Sequence, residues 1–393
     1  MDIAVFTAIL RDRHFPDYRK LQYKYGDDFN DYLRTLEQLF YRELPLRDAA
    51  GKPLVWFERE PSIRLSAVKL LLRPQGQRYG ARAAEEEIIA TSAIENIDFS
   101  RESVRHVLKG MAPADEQETR ILGVKKGLEW IADPANAITE KNLHRLYMTA
   151  VGDFLTGEDR LPEGRFYRDG AVFVVGGAVE HVGAAHEKLP GLMRDLIAFA
   201  NADDGMDDLK KAAVLHFYLA WLHPYFDGNG RMARLLHLWY LLQRGCASAL
   251  FLPFSSRIEA SRKAYYDAFT AVERNRDYSG RLDVTPFLCY MTEQVYNKTE
   301  ADGPAPTVLT AYDAALRRGA VTEKEALLWQ FVLSHYGTDP FSTKQLERDF
   351  GNAAYATIRG FVLKFEELGL LSATRYGTRV KYQIRGDADG TDR

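Results

Sequence analysis

Within one short run, His223-Pro-Tyr-Phe-Asp-Gly-Asn-Gly-Arg-Met-Ala-Arg234, the chain collects an imidazole, a carboxylate, a glycine-rich turn and two guanidinium groups. Gly228 and Gly230 flank Asn229, so the backbone can turn tightly and present its N–H groups. The apolar run from Leu235 to Trp239 follows at once and reads as a helix. A glycine-rich turn feeding a helix N-terminus is an anion site, because its amides lack intrahelical partners and the dipole is positive there. Asp227 stands at the lip, where a carboxylate can hold a divalent cation over phosphates. Arg231 and Arg234 are three apart and share a helical face, so both can clamp phosphate oxygens. His223 is the side chain here suited to proton transfer near neutral pH. The combination reads as phosphate-transfer chemistry.

Two helices must hold that turn. Residues 207–222 are apolar nearly all round, the mark of a central helix, and lead directly into His223. A second helix runs from the turn to a natural C-cap at Gly245. His216, one heptad before His223, and His237 are read as structural histidines. Upstream, residues 84–97 form a helix with acids in its first turn. At 100° per residue Glu95 falls within about 20° of Ile88, on the Thr91 side. A carboxylate on an apolar stripe near a helix C-terminus needs a cationic partner. The alternative is an exposed Glu at a frayed end before Asn96. Further helical patterns at 101–111, 118–132, 139–151, 187–201, 257–274 and 284–298 make the chain mainly α. The exception is a hairpin signal, with the β-branched run Val172-Phe173-Val174-Val175, a Gly176-Gly177 turn and Val179–Val182. Such a hairpin either covers the core or offers an edge to an extended peptide.

The chain has 393 residues, more than one ordinary core, so two or three domains are expected. A net charge of −3 exerts no global pull on nucleic acid or membrane. Cys246 and Cys289 make neither a disulfide framework nor metal spacing, as in a reducing cytosol. The N-terminus lacks the basic start of a signal peptide, and the apolar stretch near 212–226 is too short to span a bilayer. A cytoplasmic, non-membrane protein is expected. Residues 1–80 read as a helical arm, broken by Pro45, Gly51 and Pro53, and 81–298 as the core. Residues 299–307 have linker composition.

Residues 308–385 change character. Helical stretches at 322–336, 342–350 and 353–368 precede a hairpin of 370–374 and 379–384, an order that resembles a winged helix-turn-helix. Between 340 and 385 eight bases face four acids. Arg375, Arg379 and Lys381 fall on the hairpin, where phosphate contacts would form. DNA and protein are both open as partners of this unit. The tail 386–393 has the composition of a disordered segment.

The His223–Arg234 run resembles the signature of the Fic family, His-Pro-Phe-x-(Asp/Glu)-Gly-Asn-Gly-Arg-x-x-Arg, departing from it only in Tyr225 for Phe. Thr91-x-x-x-Glu95-Asn96 resembles the inhibitory motif of the same family, and Gly164-Arg-Phe-Tyr-Arg168 its Gly-x-Tyr-Arg region. The resemblance implies a Fic-type helical core with a β-hairpin flap. It implies transfer of AMP from ATP to a Tyr, Ser or Thr hydroxyl of a target protein, with Mg²⁺ held by Asp227. His223 would be the base, and the turn amides and Asn229 would hold developing charge. Arg231 would meet the β-phosphate and Arg234 the γ-phosphate. Glu95 would occupy Arg234 and keep the site off, and the hairpin at Val172–Val175 would register the target. Family habits of self-association and self-modification add a homodimer and the chain itself to the expected partners. Three alternatives stay open: removal of AMP, transfer of another phosphate-containing group such as UMP, phosphocholine or the γ-phosphate, and a nucleotide-sensing DNA-binding regulator.

Overall fold

The computed structural model describes residues 2–15, 17–59, 62–64, 81–97, 99–152, 155, 157–175, 179–246, 249, 252–301, 306–336, 339–377 and 379–385. These residues are mainly helical, with three two-stranded antiparallel sheets. The chain opens with α1 (Ile3–Leu10), α2 (Tyr18–Tyr25) and α3 (Asp27–Thr35). Asp2 and Asp17 cap the first two by accepting amides of the first turn.

The expected all-helical arm over residues 1–80 needs correction, because β1 (Arg42–Arg47) and β2 (Pro53–Trp56) form a hairpin. Its turn is built by Asp48, whose carboxylate accepts the N–H groups of Ala50 and Lys52. The Val55 N–H donates to the Leu282 carbonyl at 3.0 Å, and the Val55 carbonyl accepts from Val284 at 2.9 Å. Leu44, Leu46, Leu54 and Trp56 are buried in the same apolar cluster as the central helices. This hairpin and the central helices therefore share one core, with no boundary between them. Residues 65–80 lie outside the described residues.

The core continues through α4 (Ala81–Ile94), α5 (Arg101–Leu108), α6 (Glu116–Ile131) and α7 (Glu140–Ala150). Strands β3 (Phe173–Val175) and β4 (Val179–Val182) form the expected hairpin, with Phe173 opposite Val182. The Gly176-Gly177 turn lies outside the described residues. Then come α8 (Leu189–Asn201), α9 (Asp208–Leu222), α10 (Asn229–Gln243), α11 (Phe254–Ala260), α12 (Arg262–Ser279) and α13 (Thr285–Tyr290). α9 and α10 pack on each other and are buried nearly all round, as the apolar run into His223 requires. The helix expected over 257–274 is broken at Ser261, whose φ of −120° and ψ of 28° end α11. His216 and His237 are buried, and their Nε2 atoms meet the hydroxyls of Tyr265 and Tyr296.

Beyond the core lie α14 (Pro306–Arg317), α15 (Glu323–His335), α16 (Thr343–Phe350), α17 (Tyr355–Glu367), β5 (Leu371–Tyr376) and β6 (Arg379–Ile384). α14 was not expected, because its first turn has the composition of a linker. Capping boxes Thr322/Glu325 and Ser342/Gln345 start α15 and α16. Trp329, Phe361 and Phe365 centre a separate apolar cluster, so this unit has its own core. Phe341 bridges Tyr382 as a third, one-residue strand. α15 lies against α4. Residues 302–305 of the expected linker and the tail 386–393 lie outside the described residues. Among the described residues no helix is long and apolar enough to cross a membrane.

Candidate active site

The turn between α9 and α10 sets everything else. His223 caps α9 in the left-handed region (φ 53°, ψ 59°), and Gly228 caps α10 at φ 83°. A non-glycine residue in this region is uncommon, and it is kept there by its surroundings. Those surroundings can be counted donor by donor. The last carbonyls of a helix have no intrahelical partner, and here each finds one. The Leu219 carbonyl accepts the His223 N–H at 3.1 Å. The Ala220 carbonyl faces His223 Nδ1 at 3.3 Å, and the Trp221 carbonyl faces His181 Nε2 at 2.6 Å. Leu222 accepts from the Ala184 N–H at 3.1 Å, and Pro224 from the Arg168 N–H at 3.0 Å. Arg168 Nε donates to the His223 carbonyl at 2.7 Å. Four of these six donors come from the segment that contains the hairpin. The hairpin segment is therefore the C-cap of the helix that carries His223.

A carbonyl can only accept, so His223 Nδ1 carries the proton and Nε2 holds the lone pair. Burial pushes the imidazole pKa down to about 4, which keeps it neutral at physiological pH. Gly183 packs on the histidine: a Cβ there would stand 3.0 Å from His223 Cβ and 2.7 Å from Arg168 Nη2. His181 Nδ1 meets Glu273 Oε1 at 2.5 Å, and the same oxygen accepts from Trp221 Nε1 at 3.1 Å. One carboxylate on α12 thus ties the hairpin to the end of α9.

The Asn229 side chain is spent on the turn itself. Its Oδ1 accepts the Tyr225 N–H at 2.9 Å and its Nδ2 donates to the Tyr225 carbonyl at 2.8 Å. What it offers a ligand is therefore its backbone N–H in the first turn of α10. Tyr225 stacks on Tyr147 with ring centroids 3.8 Å apart, and its hydroxyl, the one atom added to the usual Phe, has no hydrogen-bond partner among the described residues. Gly228 sits where any Cβ would strike Val151 at 2.5 Å. Asp227 lies at the lip with 47% of its side chain exposed, and Oδ2 takes Arg231 Nη2 at 2.9 Å.

On the other side of the turn, Arg234 is 3% exposed and held by α4. Its Nε donates to Thr91 Oγ1 at 2.6 Å, and its Nη2 donates to Glu95 Oε1 at 2.6 Å and to the Thr91 carbonyl at 3.2 Å. Glu95 stands just past the end of α4, in the turn closed by Asn96 at φ 58°. Arg262, at the start of α12, holds that turn through the Ala93 carbonyl at 3.0 Å and Asn96 Oδ1 at 2.6 Å. Arg234 Nη1 and Arg231 Nε are buried without an acceptor among the described residues. Two orphan guanidinium donors beside a helix N-terminus match the chemistry of a phosphate.

Glu95, His223, Gly230 and Arg234 line a cavity of about 160 Å³ whose far wall is Tyr265, Tyr266 and Phe269. It shares His181, Trp221, Thr270 and Glu273 with a wider groove of about 750 Å³ between β4 and α12. The structure therefore gathers His223, Asn229, Gly230, Arg234 and Glu95 around one space, whereas Asp227 and Arg231 pair with each other outside its lining. Thr91 lies behind Arg234, and Asn96 faces Arg262. On the hairpin, Phe173 is 60% and Val182 54% exposed, Val172 takes the Gly183 N–H on its carbonyl, and the side chains of Val174 and Val175 lie outside what is described. Reading the sequence marked Arg168 only through the Gly-x-Tyr-Arg resemblance and missed His181, Arg262 and Glu273. Each acts through a partner far away in the chain, and no local pattern marks it.

Residues 137–241 match the Fic/DOC family, a span that contains the hairpin, α9, the turn and most of α10. The proteins similar to this chain include a probable protein adenylyltransferase of Aquifex aeolicus, 31% identical over 104 residues, which are 25% of this chain and 32% of that protein. Another is the protein adenylyltransferase Fic of Culex quinquefasciatus, 25% identical over 229 residues, 54% of this chain and 41% of that one. The chain thus spans well under two thirds of the length of these relatives. Among solved structures, a Fic family protein from Desulfovibrio desulfuricans G20 aligns over 84% of this chain and 99% of its own, with a TM-score of 0.48 and 20% identity.

Proposed function

We propose that this chain transfers AMP from ATP to a hydroxyl side chain of a target protein, and that Glu95 holds the reaction off. The observation that carries the reading is the pairing of a neutral, braced imidazole with two orphan arginine donors across one helix N-terminus. His223 Nε2 takes the proton of the attacking hydroxyl, whose oxygen forms a bond to the α-phosphorus as the bond to pyrophosphate breaks. The amides of the first turn of α10 and Arg231 hold the charge that develops on the phosphates. The aromatic wall of Tyr265, Tyr266 and Phe269 offers faces on which a base can stack. The exposed Phe173 and Val182 pair on the hairpin offers an apolar contact to the target segment next to His223.

No cluster of three or more His, Cys, Asp or Glu side chains suited to a metal occurs among the described residues. Asp227 alone fits the way Mg²⁺ binds in nucleotide sites, where substrate phosphates and water complete the shell. An ion held there would supply charge neutralisation of the phosphates. Glu95 takes the Arg234 donor that a γ-phosphate would use, so nucleotide is denied its productive placement. Removing Glu95 frees that donor, and a coupling of about 1–3 kcal/mol corresponds to roughly 5- to 150-fold.

The test uses the wild type and Glu95→Gly, each incubated with ATP radiolabelled at the α- or the γ-phosphate. We expect α-label on protein, no γ-label, and about tenfold or more from the variant. Transfer of γ-label, or equal labelling of the two proteins, would overturn the respective half of the proposal.

A further inference from the structure

The C-terminal unit takes no part in the site, yet its surface is sorted by charge. We propose that it is a duplex-DNA-binding module that reads the groove with α17 and the backbone with the β5–β6 hairpin. The order of its elements, α15, the Phe341 bridge strand, α16, α17 and then β5 and β6, is that of a winged helix. In that arrangement the last helix enters the major groove and the hairpin lies along the phosphates. Arg359 on α17, Lys344 on α16, and Arg375 and Lys381 on the hairpin are all exposed. α17 packs on β5, and neither the first two turns of α17 nor the β5–β6 hairpin carries an acid.

The acids are distributed differently. Asp349 is taken up inside the unit by Arg348 and the Tyr336 hydroxyl, each at 2.8 Å. Glu325 is taken by Lys364 at 2.7 Å and by the cap of α15. Glu366 and Glu367 lie in the last turn of α17, and Glu347 lies on α16 three residues after Lys344. The first turns of α17 and the hairpin are left to cations and to two exposed tyrosines, Tyr355 at 42% and Tyr376 at 63%. Here the exposed aromatics carry polar tips, and cations flank them.

The experiment is fluorescence anisotropy of the full chain with a labelled duplex of about 20 base pairs, comparing about 50 mM with about 200 mM salt. Four phosphate contacts give a log–log salt slope of about −3.6, so affinity should fall about 100-fold across that range. Arg359→Glu, and Arg375→Glu with Lys381→Glu, should each weaken binding at least about tenfold and flatten the slope by about one per charge removed. Lys324→Glu, an equal change on exposed α15, should leave binding within about twofold, and thermal melts of all variants should match wild type. No binding at about 50 mM salt with protein in the tens of micromolar would overturn the proposal and leave this face to a protein partner. Equal weakening by Lys324→Glu would overturn it as well, reducing the effect to net charge.

Discussion

The two sides of the α9–α10 turn are held in opposite ways. On the histidine side, backbone carbonyls from Leu219 to Pro224 are matched one by one, mostly from the hairpin segment. On the arginine side, Arg234 is held by two residues of the α4 segment, and one of its donors is left over. Backbone pairing fixes a group in a single place, whereas a side-chain ion pair beside an orphan donor can be exchanged for another anion. The difference teaches which half of the site is built to stay and which to yield. The imidazole is held in one place, and Arg234 is the half whose partner can be exchanged.

Four measurements press on that contrast. The largest effect belongs to His223→Ala in the Glu95→Gly background, where losing a positioned base should lower labelling about 10²- to 10⁴-fold. Labelling within a few-fold of the parent would take the chemistry away from the histidine side altogether. His181→Ala comes next. It strips the donor from the Trp221 carbonyl and frees Glu273, and a lost charge-assisted bond of about 1.5–3 kcal/mol predicts a fall of about tenfold or more. An unchanged rate would mean that the hairpin does not brace the base.

Acid should destabilise the fold that holds the turn. Burial pushes the pKa of His223 down to about 4 and that of His237 to about 3. Below about pH 6.5 the unfolded chain therefore binds protons that the folded one refuses, and stability falls with falling pH by about 1.4 kcal/mol per unit for each such histidine. The loss ends only when the pH reaches the folded values. Melting temperatures that stay flat between pH 7 and pH 4.5 would contradict this. The smallest effect is Thr91→Val, which removes one acceptor of Arg234 and loosens the α4 contact by about 1 kcal/mol. It should raise wild-type labelling a few-fold, the opposite sign to His181→Ala, and a decrease would erase the distinction between the two sides.

Much of this is legible in the chain without its fold. The turn and its flanking helices show because all their signals are local: glycines, a cap and an apolar run within a few turns. The 172–182 hairpin shows in its β-branched run. Glu95 stands out as a carboxylate on an apolar stripe, but its partner lies 139 residues away, and only the family resemblance points to Arg234. Separations of 92 and 166 residues likewise hide Glu273 from His181 and Arg262 from Asn96. The hairpin of β1 and β2 escapes for another reason. Leu44 and Leu46 alternate with exposed neighbours, a period-two signal, but Pro45 and Pro53 read as breakers when they sit within the strands. Asn229 reads as a ligand group because its type suits one, and the structure shows its amide closing the turn beneath it.

A hairpin beside a reactive centre is easily pictured as a lid that swings clear on a hinge. This one cannot do so without harm, since His181, Ala184 and Arg168 are also what terminates α9. Peeling it back would unravel the final turn of that helix and let the left-handed histidine relax out of place. On the proposed function, a substrate would then come along the groove between β4 and α12, with the hairpin staying where it is.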